Sequence, residues 1–210
     1  MKRQNRKYIV IPIIYIVALV IVLLTDDVAI TVGLDHFRTT MPKLNEFIIF
    51  TTDFYLYFGI ISFVVLLILG FFAKPVKKHH RWILVVNLTL ALAAIITNTV
   101  KISVKRLRPC DDPYVSTLFT VIKDSDHYSF PSGHSSSTWS MAHPLIVKSG
   151  PAILKVLSLL VGLYIPFTRV YLGVHYFSDV VVGSILGSAC WLLLEFLMLR
   201  KMSIENTNGV

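Results

Sequence analysis

Seventeen consecutive uncharged residues, Tyr8 to Leu24, follow a basic start that carries Lys2, Arg3, Arg6 and Lys7. A charged head before an apolar run resembles a secretory signal, but this run is long and ends in Thr25-Asp26-Asp27 with no small-residue cleavage pattern. It reads as an uncleaved transmembrane helix. Two more uncharged runs follow, Phe54 to Ala73 with 20 residues and Trp82 to Val100 with 19. Each is long enough as a helix to cross roughly 30 Å of hydrocarbon.

The second half is apolar but punctuated. Phe130 to Val147 has no Asp, Glu, Lys or Arg, yet holds Ser132, His134, Ser135, Ser136, Ser137, Ser140 and His143. Pro151 to Leu172 carries only Lys155 and Arg169, and Phe177 to Leu199 only Asp179 and Glu195. The expectation is an all-α bundle of six transmembrane helices, near 8–24, 54–73, 82–104, 132–147, 152–172 and 177–199, forming one domain over 1–210. Neither an internal repeat nor a linker divides it.

Composition agrees. Charged residues are 15% and mean hydropathy is +0.70, against about 25% charged in soluble domains. The net charge of +8 does not indicate nucleic acid binding, because the basic residues sit between apolar stretches and form no stripe. Cys110 and Cys190 lie 80 residues apart and imply neither a disulfide framework nor a metal site.

Lys and Arg in the loops orient the bundle. With six spans both termini share a side, which holds 12 cations, including Lys74, Lys77, Lys78 and Arg81; the opposite side holds 8. Both termini are therefore expected in the cytoplasm, with the loop from Lys105 to Tyr128 outside.

Three polar clusters fall on that outer side. Lys101 is followed after six residues by Arg108-Pro109, Pro131-Ser132-Gly133-His134 opens the fourth span, and Thr168-Arg169 precedes His175 and Asp179. Arg grips phosphate oxygens through paired donors and Lys adds a point charge. A helix start leaves N–H groups without internal partners, which favours an anion, and Gly133 would let the backbone come close to it. His175 and Asp179 are four apart and share a helix face. A carboxylate on one imidazole nitrogen fixes the tautomer and leaves the other nitrogen free to attack. His134 could supply a proton to a leaving alkoxide. No metal constellation is visible, since Asp111 and Asp112 lack a third ligand in register, and the cations would serve the phosphoryl oxygens instead.

Each cluster alone has a plainer explanation. Lys101 and Arg108 could be helix-end residues reaching for water, Ser132 a helix cap, and His175 with Asp179 an interfacial pair. Their coincidence on one membrane face points to a site, because charges near a membrane interior tend to be functional. His143 reads as a packed polar residue beside Pro144, and the Gly183 to Gly187 spacing as close helix packing.

These residues resemble the type 2 phosphatidic acid phosphatase family of membrane lipid phosphatases. Its motifs are Lys-x6-Arg-Pro, Pro-Ser-Gly-His and Ser-Arg-x5-His-x3-Asp, matched here from Lys101 to Asp179 with Thr168 in place of serine. The resemblance implies an all-helical bundle and a reaction without metal or other cofactor. Lys101, Arg108 and Arg169 would hold phosphate, with hydrogen bonds from Ser132 and the Gly133 amide. His175 would be the nucleophile, forming a phosphohistidine, with Asp179 orienting it and His134 as acid. The implied partners are a lipid phosphate and the membrane. Small bacterial members of the family act on undecaprenyl pyrophosphate, phosphatidylglycerophosphate, phosphatidate or lipid A phosphates, and some transfer the phosphoryl group to another lipid. The outward face favours undecaprenyl pyrophosphate at a bacterial cell membrane. An inactive lipid-binding bundle is the non-enzymatic alternative.

Overall fold

The first apolar run becomes helix α1, Lys7–Leu24, in a computed structural model that describes residues 7–72, 80–122, 128–148 and 150–207. Two short helices follow, α2 (Asp27–Gly33) and α3 (Asp35–Thr40), then α4 (Pro42–Phe72), α5 (His80–Val104), a 3-10 turn at Val115–Leu118, α6 (Gly133–Lys148), α7 (Ala152–Tyr171) and α8 (Phe177–Thr207). No strand occurs among the described residues, so the fold is all-α. Several residues used above to orient the chain, Lys2, Arg3, Arg6, Lys74, Lys77, Lys78 and Lys123, lie outside the described residues.

Among the described residues, three helices are long and apolar enough to cross a membrane: Trp82–Val104, Ala152–Tyr171 and Phe177–Met198. Ile13–Leu24 with Asp27–Thr40, bent by 80°, makes a fourth candidate. Their outward faces present large apolar side chains such as Ile95, Leu163 and Leu193. Polar residues are turned inward, the reverse of a soluble domain. The chain is a multi-span membrane protein.

The sharp bend after α1 starts at Asp26. Its carboxylate accepts the N–H groups of Val28 (2.9 Å) and Ala29 (3.0 Å), capping α2. Helices α2 and α3 were not expected from hydropathy. They are held by buried Arg38, which donates to the carbonyls of Thr31 (2.7 Å), Tyr171 (2.5 Å) and Val170 (3.2 Å). The last two are carbonyls in the last turn of α7, the end that attracts a cation, and Val170 O also accepts Gly173 N–H (3.0 Å). Helix α4 begins at Pro42, well before its apolar run, because Lys43, Glu46 and Asp53 interrupt hydropathy without breaking a helix. Proline is suited to a first helical position, where its missing N–H costs nothing.

Helix α6 sits at the centre, packed on α5, α7 and α8. It is rich in small hydroxyl residues whose O–H groups are absorbed by the helix itself: Thr138 donates to His134 O (2.6 Å) and Ser140 to Ser136 O (2.8 Å). Small residues let backbones approach. A Cβ added at Gly183 would lie 2.5 Å from Ser132 O, and one at Gly187 2.1 Å from Ser136 O. These two glycines press α8 against α6, as their spacing suggests, and so bring Asp179 to the start of α6. His143 is buried beside Trp191, with ring centroids 4.6 Å apart, and its Nδ1 is 3.2 Å from Tyr15 Oη.

Candidate active site

The three clusters converge because backbone hydrogen bonds stitch them together. Ser129 N–H donates to Arg106 O (2.8 Å), Cys110 N–H to Gly173 O (3.1 Å) and Ser132 N–H to Asp179 O (3.0 Å). The Gly173 turn ends α7. Its φ of +69° is a left-handed conformation that suits glycine, and a Cβ there would meet the Phe119 ring at 2.5 Å. The turn also folds His175 N–H back onto Arg169 O (3.3 Å).

Each expected residue has a definite place. Lys101, in the last turn of α5, donates to Tyr128 O (2.5 Å). Arg108 is buried and donates through Nη1 to Val174 O (3.2 Å). Arg169, in the last turn of α7, is buried, and its Nε has no hydrogen-bond partner among the described residues. A buried cation with an unused donor suits an anion. Ser132 is fully buried just before α6, and its Oγ accepts from Ser135 N–H (3.4 Å) and Ser135 Oγ (3.0 Å). The serine thus also caps the helix, as its plainer reading had it. Gly133 opens α6, and an added Cβ there would meet only Thr97, at 3.9 Å. Packing does not demand glycine at that point. His134 is half-buried in the first turn of α6.

His175 is 1% exposed, in the turn between α7 and α8. Burial holds its pKa well below the ordinary 6.5, and Arg108, Arg169 and Lys101 push it the same way. Both effects favour the neutral form of the ring. Asp179 Oδ2 lies 3.5 Å from His175 Nδ1, and Oδ2 also accepts Tyr176 N–H (2.9 Å) at the start of α8. The carboxylate thus caps its own helix and lies close to the imidazole, whose Nδ1 makes no hydrogen bond among the described residues.

Two residues were missed. Arg106 donates through Nη1 to Asp179 Oδ1 (2.8 Å) and through Nη2 to Asp27 Oδ2 (2.8 Å). The sequence offered weak signals: Arg106 is a second arginine inside the Lys-x6-Arg spacing, and Asp27 a carboxylate at a membrane boundary. An apolar pocket of about 610 Å³ is lined by Tyr15, Trp139, Phe167, Phe177 and Val181 among others.

Residues 82–202, more than half of the chain, match the family model of the PAP2 superfamily. The chain is 27% identical over 134 residues to an undecaprenyl-diphosphatase of Sulfolobus acidocaldarius, covering 64% of this chain and 60% of that one. It is 31% identical over 140 residues to the lipid A 1-diphosphate synthase of Escherichia coli, covering 61% and 59%. It thus spans about three fifths of the length of either relative. In fold it resembles the PAP2 type phosphatidylglycerolphosphate phosphatase of Bacillus subtilis, with a TM-score of 0.69 at 22% identity, over 92% of this chain and 96% of that one. Matched by family model, by relatives and by fold, the chain belongs to the PAP2 superfamily.

Proposed function

We propose that this protein is a membrane lipid phosphatase working through a phosphohistidine. The observation that carries this is the buried, neutral His175, acted on by Lys101, Arg108 and Arg169, with Asp179 behind its Nδ1. Neutral imidazole has a lone pair to donate, and three cations stabilise the charge that builds on phosphoryl oxygens. The second ring nitrogen, Nε2, forms the N–P bond as the bond from phosphorus to the lipid oxygen breaks. His134 gives its proton to the departing oxygen. Water then attacks phosphorus, the N–P bond breaks, and phosphate leaves. Ser132 and the Gly133 N–H add hydrogen bonds to the phosphoryl group, and Asp179 supports the positive ring of the intermediate.

Undecaprenyl pyrophosphate is the favoured substrate: its terminal phosphate would transfer to His175 and undecaprenyl phosphate would leave. The undecaprenyl-diphosphatase relative supports this. Other lipid phosphates, namely lipid A 1-phosphate, phosphatidylglycerophosphate and phosphatidate, and transfer to a second lipid, are competing outcomes of the same chemistry. In this proposal the chain is one domain with six spans and cytoplasmic termini, and the site faces outward from a bacterial cell membrane. The cations serve in place of a metal.

The test is phosphate release by the purified protein in detergent from those four lipids, with and without EDTA. Fastest release from undecaprenyl pyrophosphate, unchanged by EDTA, is expected. Failure on every lipid, with no phosphoenzyme, would return the chain to an inactive lipid-binding bundle.

A further inference from the structure

A fourth cation, Arg106, contacts Asp179 at the site. Arg106 Nη1 donates to Asp179 Oδ1 (2.8 Å) and Ser178 Oγ (2.7 Å), and Nη2 donates to Asp27 Oδ2 (2.8 Å). Its guanidinium lies over the Tyr176 ring, 3.9 Å from the centroid. Asp27 in turn accepts Ser178 N–H (2.9 Å) and the Ser178 hydroxyl (2.5 Å). The network joins the first turn of α2 to the first turn of α8 across more than 150 residues of sequence.

We propose that Arg106, anchored by Asp27, is a positioning residue that holds Asp179 in the orientation His175 needs. This rests on the phosphohistidine reading above. Asp179 is fully buried, and a buried carboxylate must be paired to stay charged. Its two oxygens are divided: Arg106 fixes Oδ1, which leaves Oδ2 toward Tyr176 N–H and His175 Nδ1. Rotation of the carboxylate would break the bond to Arg106 or the one to Tyr176. Three donor contacts of the guanidinium are committed to Asp27, Ser178 and Asp179. That separates Arg106 in role from Lys101, Arg108 and Arg169. A lysine would supply the charge without the planar fork that spans two carboxylates.

The test uses the full chain in detergent with dioctanoyl phosphatidate as substrate and inorganic phosphate as inhibitor. Arg106→Gln should lower kcat by about 10²-fold, the scale of a misplaced reacting group, while the Ki of phosphate stays close to wild type. Asp27→Asn should lower kcat less, and Arg106→Lys should fall between. The double variant Arg106→Gln/Asp179→Asn should be no worse than Asp179→Asn alone, as for residues acting through one another. A raised phosphate Ki with kcat retained would make Arg106 a phosphate ligand and overturn the proposal. So would multiplying losses in the double variant. If Arg106→Gln is not recovered folded, Arg106→Lys and Asp27→Asn carry the same test. A wild-type protein that releases no phosphate from any of the four lipids named above and forms no phosphoenzyme would instead sink the function reading; if only another of them is turned over, that lipid replaces phosphatidate in the test.

Discussion

Two buried histidines differ in what surrounds them. His143 lies about 13 Å along α6 from His134, at 1.5 Å per residue. It is closed in by Trp191 and Tyr15, neither of which brings a charge. His175 sits among three cations with a carboxylate at 3.5 Å. Beyond His143 the same helix ends in Lys148, whose Nζ pairs with buried Glu195 at 2.7 Å. There a cation answers a carboxylate. At the His175 end Arg169 keeps a buried Nε without a hydrogen-bond partner among the described residues. Burial of a titratable group is therefore not in itself a sign of chemistry. A donor left for something absent from the chain is the better sign.

Replacing the two histidines should break this comparison or sharpen it. If His175 is the nucleophile, as proposed, His175→Ala removes the atom that would accept the phosphoryl group, and phosphoenzyme and turnover should vanish on every substrate. His143→Ala should retain turnover and lose about 1–3 kcal/mol of stability, the scale of an unsatisfied buried partner. Between them, His134→Ala should cost about 10²–10⁴ in rate on phosphatidate, the range of general acid help. It should cost less on p-nitrophenyl phosphate, whose leaving group needs no proton. Acid-quenched phosphoenzyme and initial rates would check all three. Equal losses of His134→Ala on both substrates would make it a phosphate ligand instead of the acid.

The ion pair at the other end of α6 should fail asymmetrically. Lys148→Met leaves the buried Glu195 charge without its cation and should cost about 3 kcal/mol. Glu195→Gln leaves a half-exposed lysine that water can reach, and should cost about 1 kcal/mol or less. Thermal unfolding in detergent measures both, and kcat should be unchanged in each. A loss of kcat without a change in Tm would mean that this pair belongs to the mechanism.

The two ends were not equally legible in the sequence. Lys101, Arg108, Ser132, Gly133, His134, Arg169, His175 and Asp179 could be picked out because their spacing is local and their residue types are rare in apolar runs. Apolar runs likewise marked the long helices. Arg106 and Asp27 could not be paired, because they are 79 residues apart and no local spacing links them. Helices α2 and α3 were hidden for a related reason: they are fixed by Asp26 and Arg38 and not by an apolar period. The early start of α4 was hidden because hydropathy detects lipid exposure, and a helix can extend beyond it.

Glycines on α8 separate packing from chemistry within one interface. Gly187→Ala places a Cβ 2.1 Å from Ser136 O, deep in the α6 contact. It should cost about 1–3 kcal/mol by overpacking and spare kcat. Gly183→Ala places one 2.5 Å from Ser132 O, beside the Pro131 to His134 segment. It should lower kcat as well, since that segment carries Ser132 and His134. If the two variants lost stability and activity in the same ratio, the N-terminal end of α6 would not be the more sensitive part.

The smallest effect expected is in pH, and its sign follows from the surroundings of His175. Burial, then Arg108, Arg169 and Lys101, hold its pKa well below 6.5. The neutral form therefore persists below the pH at which an ordinary histidine would take up a proton. The acid limb of kcat/KM, which reports the free enzyme, should lie below 6.5 as far as it belongs to His175. Between 6.5 and the lower folded value an unfolded chain would bind a proton that the folded one refuses, so stability should fall as pH drops through that window. Arg108→Gln removes one of the three repelling charges. The imidazolium then becomes less unfavourable, the pKa rises, and the acid limb should move to higher pH. Phosphate monoesters also titrate near pH 6, but the same substrate assayed with both enzymes cancels that contribution in the difference. A limb that stayed in place or moved to lower pH in Arg108→Gln would show that the Arg108 charge does not act on His175.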